Sequence, residues 1–371
     1  MGNGIILWIQ RENIPPLLRF LIYRLISLPI TIFIITIVLY GFVMLTPVEV
    51  RASLYFPEGL NTDLLSDEEL QRYTNLIIKK YNLDDPFPVQ YATWATNLLR
   101  GNWGWSPMLG QDVLPALLRR TPVSAELALY SMLVFIPLGL LSGVNAGSKK
   151  DSRTDLRFRF AAFIGVSIPT FILALVLMSV FYVGLYWFPP ERLGFHSSQL
   201  VQSEAFHQYT GLLTLDGLLN GQPMITLEAL QHLVLPVITV SLGYWGLLGR
   251  VARSTVIEEQ LKEYVTAARA RGIKDRSLVW KHIFRNALTP ALTSSMLSVA
   301  ALFTSIFVVE IIFSFRGVSS LIVASFTYTP DAPTLLGFAV YSVIVVLLLM
   351  LVLDLLMALL DPRVREQVIS A

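Results

Sequence analysis

Six long apolar runs dominate this 371-residue chain, at about 20–45, 122–146, 158–187, 230–251, 288–313 and 334–360. Each is long enough for a helix rising about 1.5 Å per residue to cross a hydrocarbon core of about 30 Å. In lipid every backbone N–H and C=O must find a partner inside the protein, and runs of this length do so as helices. Charged residues are only 15% of the chain, against about a quarter in an ordinary soluble domain. The expected fold class is an all-α integral membrane protein with six transmembrane helices, a cytoplasmic loop and external helical insertions. The first run is too long for a signal peptide and no small-residue cleavage site follows, so it reads as a retained helix. GIILWIQ, at 4–10, is too short to span and reads as an interfacial segment.

Lysine and arginine set the orientation. Arg11, Arg19 and Arg24 precede or border the first run, and five basic residues lie in 147–159. Nine lie in 250–287, and Arg363 and Arg365 follow the last run, so 19 of the 28 fall on one side. By the positive-inside rule that side is the cytoplasm. Both termini are then cytoplasmic, and the long segments at about 46–121 and 188–229 are external. In the first of these, Ser66 with Glu69 forms a capping-box pattern. It predicts a helix over 67–81 whose stripe of Leu70, Tyr73, Ile77 and Tyr81 would lie on the membrane surface. The 188–229 stretch reads as an insertion with short helices. No soluble domain is present, so another chain must supply energy.

The residues exclude several chemistries. Cysteine is absent, and His196, His207, His232 and His282 are too widely spaced for a metal motif. No nucleophile elbow occurs. GVNAGSKK, at 143–150, lacks the spacing of a phosphate-binding loop. Gly139, Gly143 and Gly147 instead recur every four residues, a small-residue groove for close helix packing. Gly243, Gly246 and Gly249 give a similar pattern later. The chain is expected to hold no catalytic residue, metal or cofactor, and a net charge of +2 gives no case for nucleic acid. Acids at membrane depth are costly unless paired or wet. Glu310 and Asp354 are therefore candidates for a pathway or gate, with Glu126 as an acid at a helix start. Prolines at 29, 137, 169, 236 and 290 would break several runs.

One segment departs from its apolar surroundings: EYVTAARARGIKDRSLVWKHIFRN, from 263. Glu263 at its start and Arg269 and Arg271 near its end suit a helix macrodipole, and Gly272 sits where a helix commonly stops. From Ile273 to Arg285 the helical pattern resumes. The segment reads as helix, glycine turn, helix. An amphipathic helix on anionic lipid would explain the arginines, but not the alanines and glycine.

TAARARG followed by KHIFRNALTP resembles the coupling loop of permease subunits of binding-protein-dependent ABC importers. Within that family the chain resembles the B-type subunit of the dipeptide, oligopeptide and nickel branch. LRFLIYRLISLPITIF, LDDPFPVQYATW, RTPVSAELAL, GVSIPTFILAL, HLVLPVITVSL, VVEIIFSFRGVSSL and LLMALLDPRVR agree in order along nearly the whole chain. The resemblance implies a passive half of an importer in a bacterial or archaeal inner membrane. Its partners would be a C-type permease, two ATP-binding subunits that hold ATP and magnesium, and an extracytoplasmic substrate-binding protein. Thr266, Ala267, Ala268 and Gly272 would be the docking residues, flanked by Glu263, Arg269, Arg271, His282 and Arg285.

Thr266, His282 and Arg285 depart from the broad loop pattern in the way usual for the peptide branch. Arg316 and Ser319 replace a proline and a glycine in the turn after Glu310, which places Arg316 with the gate candidates. Peptides are the implied substrate, with oligosaccharides or nickel as alternatives on the same architecture. A secondary transporter or channel would need a dense intramembrane polar site or inverted repeats with broken helices, and neither is visible.

Overall fold

The computed structural model describes residues 16–53, 55–56, 65–327 and 331–360. The 4–10 segment and the tail with Arg363 and Arg365 lie outside them. The described chain is helical apart from one two-stranded hairpin, Trp105–Ser106 paired antiparallel with Gln111–Asp112. Among the described residues four helices are long and apolar enough to cross a bilayer: Leu21–Met44, Val113–Ser148, Pro223–Gln260 and Ala332–Leu355. The bent pair Arg153–Ser167 and Thr170–Gly184 makes a fifth if taken as one span. The remaining apolar run lies within the 29-residue helix Phe284–Ile312.

Two expectations about these helices are corrected. Helix Val113–Ser148 starts nine residues before the apolar run, so Pro122 lies inside it rather than at its start. Apolarity marks only the stretch that lipid requires, while the backbone goes on beyond it. The prolines also act unequally. Pro29, Pro137, Pro236 and Pro290 sit inside continuous helices. Pro169 alone of the five interrupts one, and the axis turns by 98° there. The residue before a proline is driven from the helical region, and Ile168 is extended at φ −84°, ψ 119°.

The chain divides into two compact units. The first holds the residues up to Thr121 and Val318–Leu351. In it Ser66 caps helix Asp67–Tyr81 with both arms of the capping box in place. The bonds from Ser66 hold the Glu69 carboxyl below its usual pKa. Part of the apolar stripe of this helix packs on protein, while Tyr81 stays exposed. Ile77 is buried with Ala52 of helix Val48–Ser53 and with Leu83, and Tyr73 and Phe56 pack edge to face. Helix Phe87–Leu99 follows, and a separate cluster of Val113, Leu117, Val318, Leu321 and Tyr341 forms a second core.

The second unit runs from Pro122 to Gly317 and adds Val352–Pro362. Its core surrounds Pro223–Gln260, with Leu127, Leu235, Val240, Leu248, Val256, Leu302 and Val309 buried in one cluster. The 188–229 insertion carries short helices Phe195–Gln202 and Leu213–Leu219 on a small core of its own. Glu126 lies well inside its helix and not at a helix start. It is 1% exposed and accepts from the Thr214 backbone at 2.9 Å, from the Thr214 hydroxyl at 2.7 Å and from Arg192. A buried carboxylate needs such partners, and here they tie the insertion to the membrane helix.

Candidate coupling site

The coupling segment grows from a helix that outruns the bilayer. Pro223–Gln260 has 38 residues, about 57 Å at 1.5 Å per residue. It is therefore longer than a core of about 30 Å requires. Lys262, extended at φ −74° and ψ 148°, redirects the chain into helix Glu263–Ala270. That helix closes with paired backbone bonds, Gly272 N–H to Arg269 O at 2.9 Å and Ile273 N–H to Ala268 O at 3.2 Å. This is the Schellman pattern, which requires a left-handed residue after the helix. Gly272 supplies it at φ 78°. No atom lies within 4 Å of where its Cβ would stand, so the demand for glycine here is conformational and not steric.

After the turn the chain enters one continuous helical stretch and not a separate short helix. The helix resumes at Asp275, passes through a π-helical stretch Leu278–Ile283 and continues from Phe284 to Ile312. His282 and Arg285 are exposed on this continuous rod. The loop's second arm is thus continuous with the following long helix.

Burial separates two faces. Val265, Leu278 and Ile283 are fully buried in the main core cluster, and Ala268 and Ile273 pack against it. Glu263, Thr266, Ala267, Arg269, Ala270, Arg271 and Gly272 are exposed. The outward face is accordingly small and basic. Ala268, expected among the docking residues, is partly buried and packs against the core. The reason is helical spacing: Ala268 lies three residues beyond Val265, hence on the same side.

A polar clasp that spacing did not suggest fixes this geometry. Glu259 is buried, pairs with Lys262 and accepts the Tyr264 hydroxyl at 2.8 Å. Asn286 Nδ2 donates to the same hydroxyl at 3.2 Å. Burial, chiefly, pushes the Tyr264 hydroxyl above its usual pKa, so it remains a donor at neutral pH. The clasp joins three helices at the loop's root. Arg269 and Asp275 pair at 3.2 Å across the glycine turn, an exposed contact worth about 0–1 kcal/mol.

The other predicted positions are placed as follows. A Cβ at Gly139 would stand 3.1 Å from the Leu248 side chain. At Gly143 it would overlap the Gly249 backbone, and at Gly147 it would lie 2.7 Å from the Arg253 carbonyl. All three glycines therefore face Pro223–Gln260. Glu310 is 1% exposed, accepts from the Ser124 hydroxyl and lies against Gly317. Arg316 is exposed in the same turn, and Asp354 is buried in helix Ala332–Leu360. Ser124, Glu259, Tyr264 and Asn286 were missed because their pairings join distant positions or cross a turn, where periodicity carries no signal.

A model of the family described as binding-protein-dependent transport system inner membrane component matches residues 136–366. The chain belongs to that family. The match takes in the coupling segment, the three glycines, Glu310, Arg316 and Asp354. Similar proteins include the oligopeptide transport system permease protein AppB of Bacillus subtilis. It is 30% identical over 330 residues, which are 88% of this chain and 95% of that one. The di/tripeptide transport system permease protein DppB of Pseudomonas aeruginosa is 32% identical, with 78% of this chain and 84% of that one covered. The dipeptide transport system permease protein DppB of Bacillus subtilis is 29% identical, with 94% and 98% covered. The chain is a permease subunit of an ABC importer and not an enzyme. In this permease one face of the 263–286 segment is packed on the core and the other is exposed.

Proposed function

We propose that this permease forms half of a translocation pathway for peptides and is driven through the 263–286 segment by ATP-binding subunits. A C-type permease completes the pathway, and an extracytoplasmic binding protein delivers the substrate. The termini and the coupling segment are cytoplasmic. The observation that supports this reading most is the outward face of Glu263–Ala270. It is small at Thr266, Ala267 and Ala270, ends at the left-handed Gly272 and stands on a base of Val265, Leu278 and Ile283. A helix so exposed and yet so firmly rooted suits insertion into a cleft on another protein. Helix Phe284–Ile312 runs directly out of the segment, so a push on the loop reaches the membrane helix through continuous backbone. The relatives named above are oligopeptide and dipeptide permeases, which supports the peptide substrate class.

The test is uptake of labelled di- and tripeptides by proteoliposomes holding the assembled importer, with cross-linking from position 267 to the ATP-binding subunit. ATP-dependent uptake with a cross-link is expected. Import of nickel or an oligosaccharide without peptide uptake would overturn the substrate class. Absence of the cross-link in an active importer would overturn the docking assignment.

A further inference from the structure

The first unit holds a cavity that the coupling segment does not use. Its volume is about 390 Å³, within the range of small-ligand sites. The walls are aromatic and mutually braced. Tyr40 and Trp94 have ring centroids 4.9 Å apart, and Tyr55 stacks on Tyr81 at 4.5 Å. Burial, chiefly, pushes the Tyr55 hydroxyl up to about 12.

Among the described residues the charged side chains on this wall are acidic. Asp85 and Asp112 contribute carboxylates and the asparagines contribute amides, while among the described residues no lysine or arginine lines the space. Among the described residues neither aspartate is in an ion pair. Arg51 lies behind the wall, and its charge reaches Tyr40 and Tyr55, so it offsets part of the field of the two carboxylates. Arg51 is buried and donates to Thr46 O at 3.1 Å, Leu83 O at 2.9 Å and Gln90 Oε1 at 3.1 Å. Gln90 in turn donates to the carbonyls of Leu83 and Asp85, at 2.9 Å and 2.5 Å. Arginine and glutamine thus stiffen the base of the cavity, and Asp85 and Asp112 stand on its lining.

Aromatic faces carry negative quadrupole density and attract cations, and carboxylates do so more strongly. With two carboxylates on the lining against one guanidinium behind it, the space favours a cation over an anion. We infer that the cavity binds a protonated primary amine carried on an apolar or aromatic body. This inference rests on the peptide reading for its biological ligand, the free amino end of an incoming peptide, since it places the site in the segment that the proposed orientation puts outside.

Phenylalanine amide is a probe that does not depend on that reading. The full-length permease in lipid nanodiscs would be titrated with it and followed by tryptophan fluorescence, since Trp94, Trp103 and Trp105 all line the space. Saturable binding is expected, weaker by about tenfold or more for N-acetyl-phenylalanine amide, which has lost the charge. The double variant Asp85→Asn, Asp112→Asn should show a similar loss while keeping the elution volume and thermal midpoint of the parent. Equal binding of the acetylated probe, or no saturable binding by the folded parent protein, overturns the inference. Peptide uptake by the assembled importer is a separate readout. Uptake without amine binding refutes this cavity assignment alone, and amine binding without peptide uptake refutes the peptide reading alone.

Discussion

Gly317 lies against the carboxylate of Glu310, in the space where any other residue would carry its Cβ. The same carboxylate accepts a hydrogen bond from Ser124, and Phe315 N–H bonds the Glu310 carbonyl at 2.8 Å. The turn after helix Phe284–Ile312 is therefore folded around one buried acid. Such an acid is tolerated because donors and close backbone surround it. In this role Glu310 is the anchor of a turn at the end of a membrane helix, which is a suitable place for a gate but not evidence of a wet path.

Gly317→Ala should displace that carboxylate from Ser124. Expected is a loss of about 1–3 kcal/mol, the cost of a buried polar group deprived of its partner, read as a lower thermal midpoint in detergent. Ser124→Ala should cost about 1 kcal/mol. A Gly317→Ala protein as stable as its parent would show that the contact has room to relax.

Gly272→Val asks a β-branched residue to hold φ 78°, at a cost of about 1–2 kcal/mol or more. The surrounding space is open, so local rearrangement of the turn is expected in place of general unfolding. Co-purification of the ATP-binding subunits should fall, and transport per ATP hydrolysed should fall with it. Gly272→Asn, which tolerates the left-handed region, should retain most of both.

Tyr264→Phe removes the hydroxyl shared by Glu259 and Asn286 while leaving the ring. Loss of about 1–2 kcal/mol is expected at the loop root. The informative readout is the ratio of peptide uptake to ATP hydrolysis, which should drop while the complex stays assembled. An unchanged ratio would assign the clasp to folding alone.

Gly143→Leu puts a large side chain where the Gly249 backbone already stands. Overpacking of this kind costs about 1–3 kcal/mol, occasionally more, and here the obstacle is backbone that cannot rotate aside. Poor membrane yield is expected. Leucine at exposed Leu138 replaced by Ala, one residue from the glycine stripe, should be almost neutral in the same expression assay.

Cysteines at Asn75 and Arg276, both exposed, test orientation in intact cells. The chain has no native cysteine, so background labelling is absent. A membrane-impermeant reagent should reach position 75 and not 276. The reverse pattern would invert the proposed topology.

Much of this protein follows from local pattern. Apolar run length is enough to require membrane helices, because lipid offers the backbone no other partners. Ser66 with Glu69 marked a helix start, and Gly272 marked a helix end, because caps are settled within a few residues. The glycines at 139, 143 and 147 pointed to close packing by their spacing, although not to their partner.

Tertiary structure decided the rest. It turned Ala268 inward beside Val265 and left Ala267 outside, since only the position of the neighbouring helices says which side of an eight-residue helix is covered. It singled out Pro169 from five prolines as the site of a 98° bend, because neighbours determine whether a helix survives its missing hydrogen bond. It set Ser124 beside Glu310, 186 positions apart, and gave Arg51 and Gln90 their place under an aromatic cavity. Helical periodicity reports which residues share a face over a few turns; it does not report what that face will meet, and both the clasp and the cavity are made of such meetings.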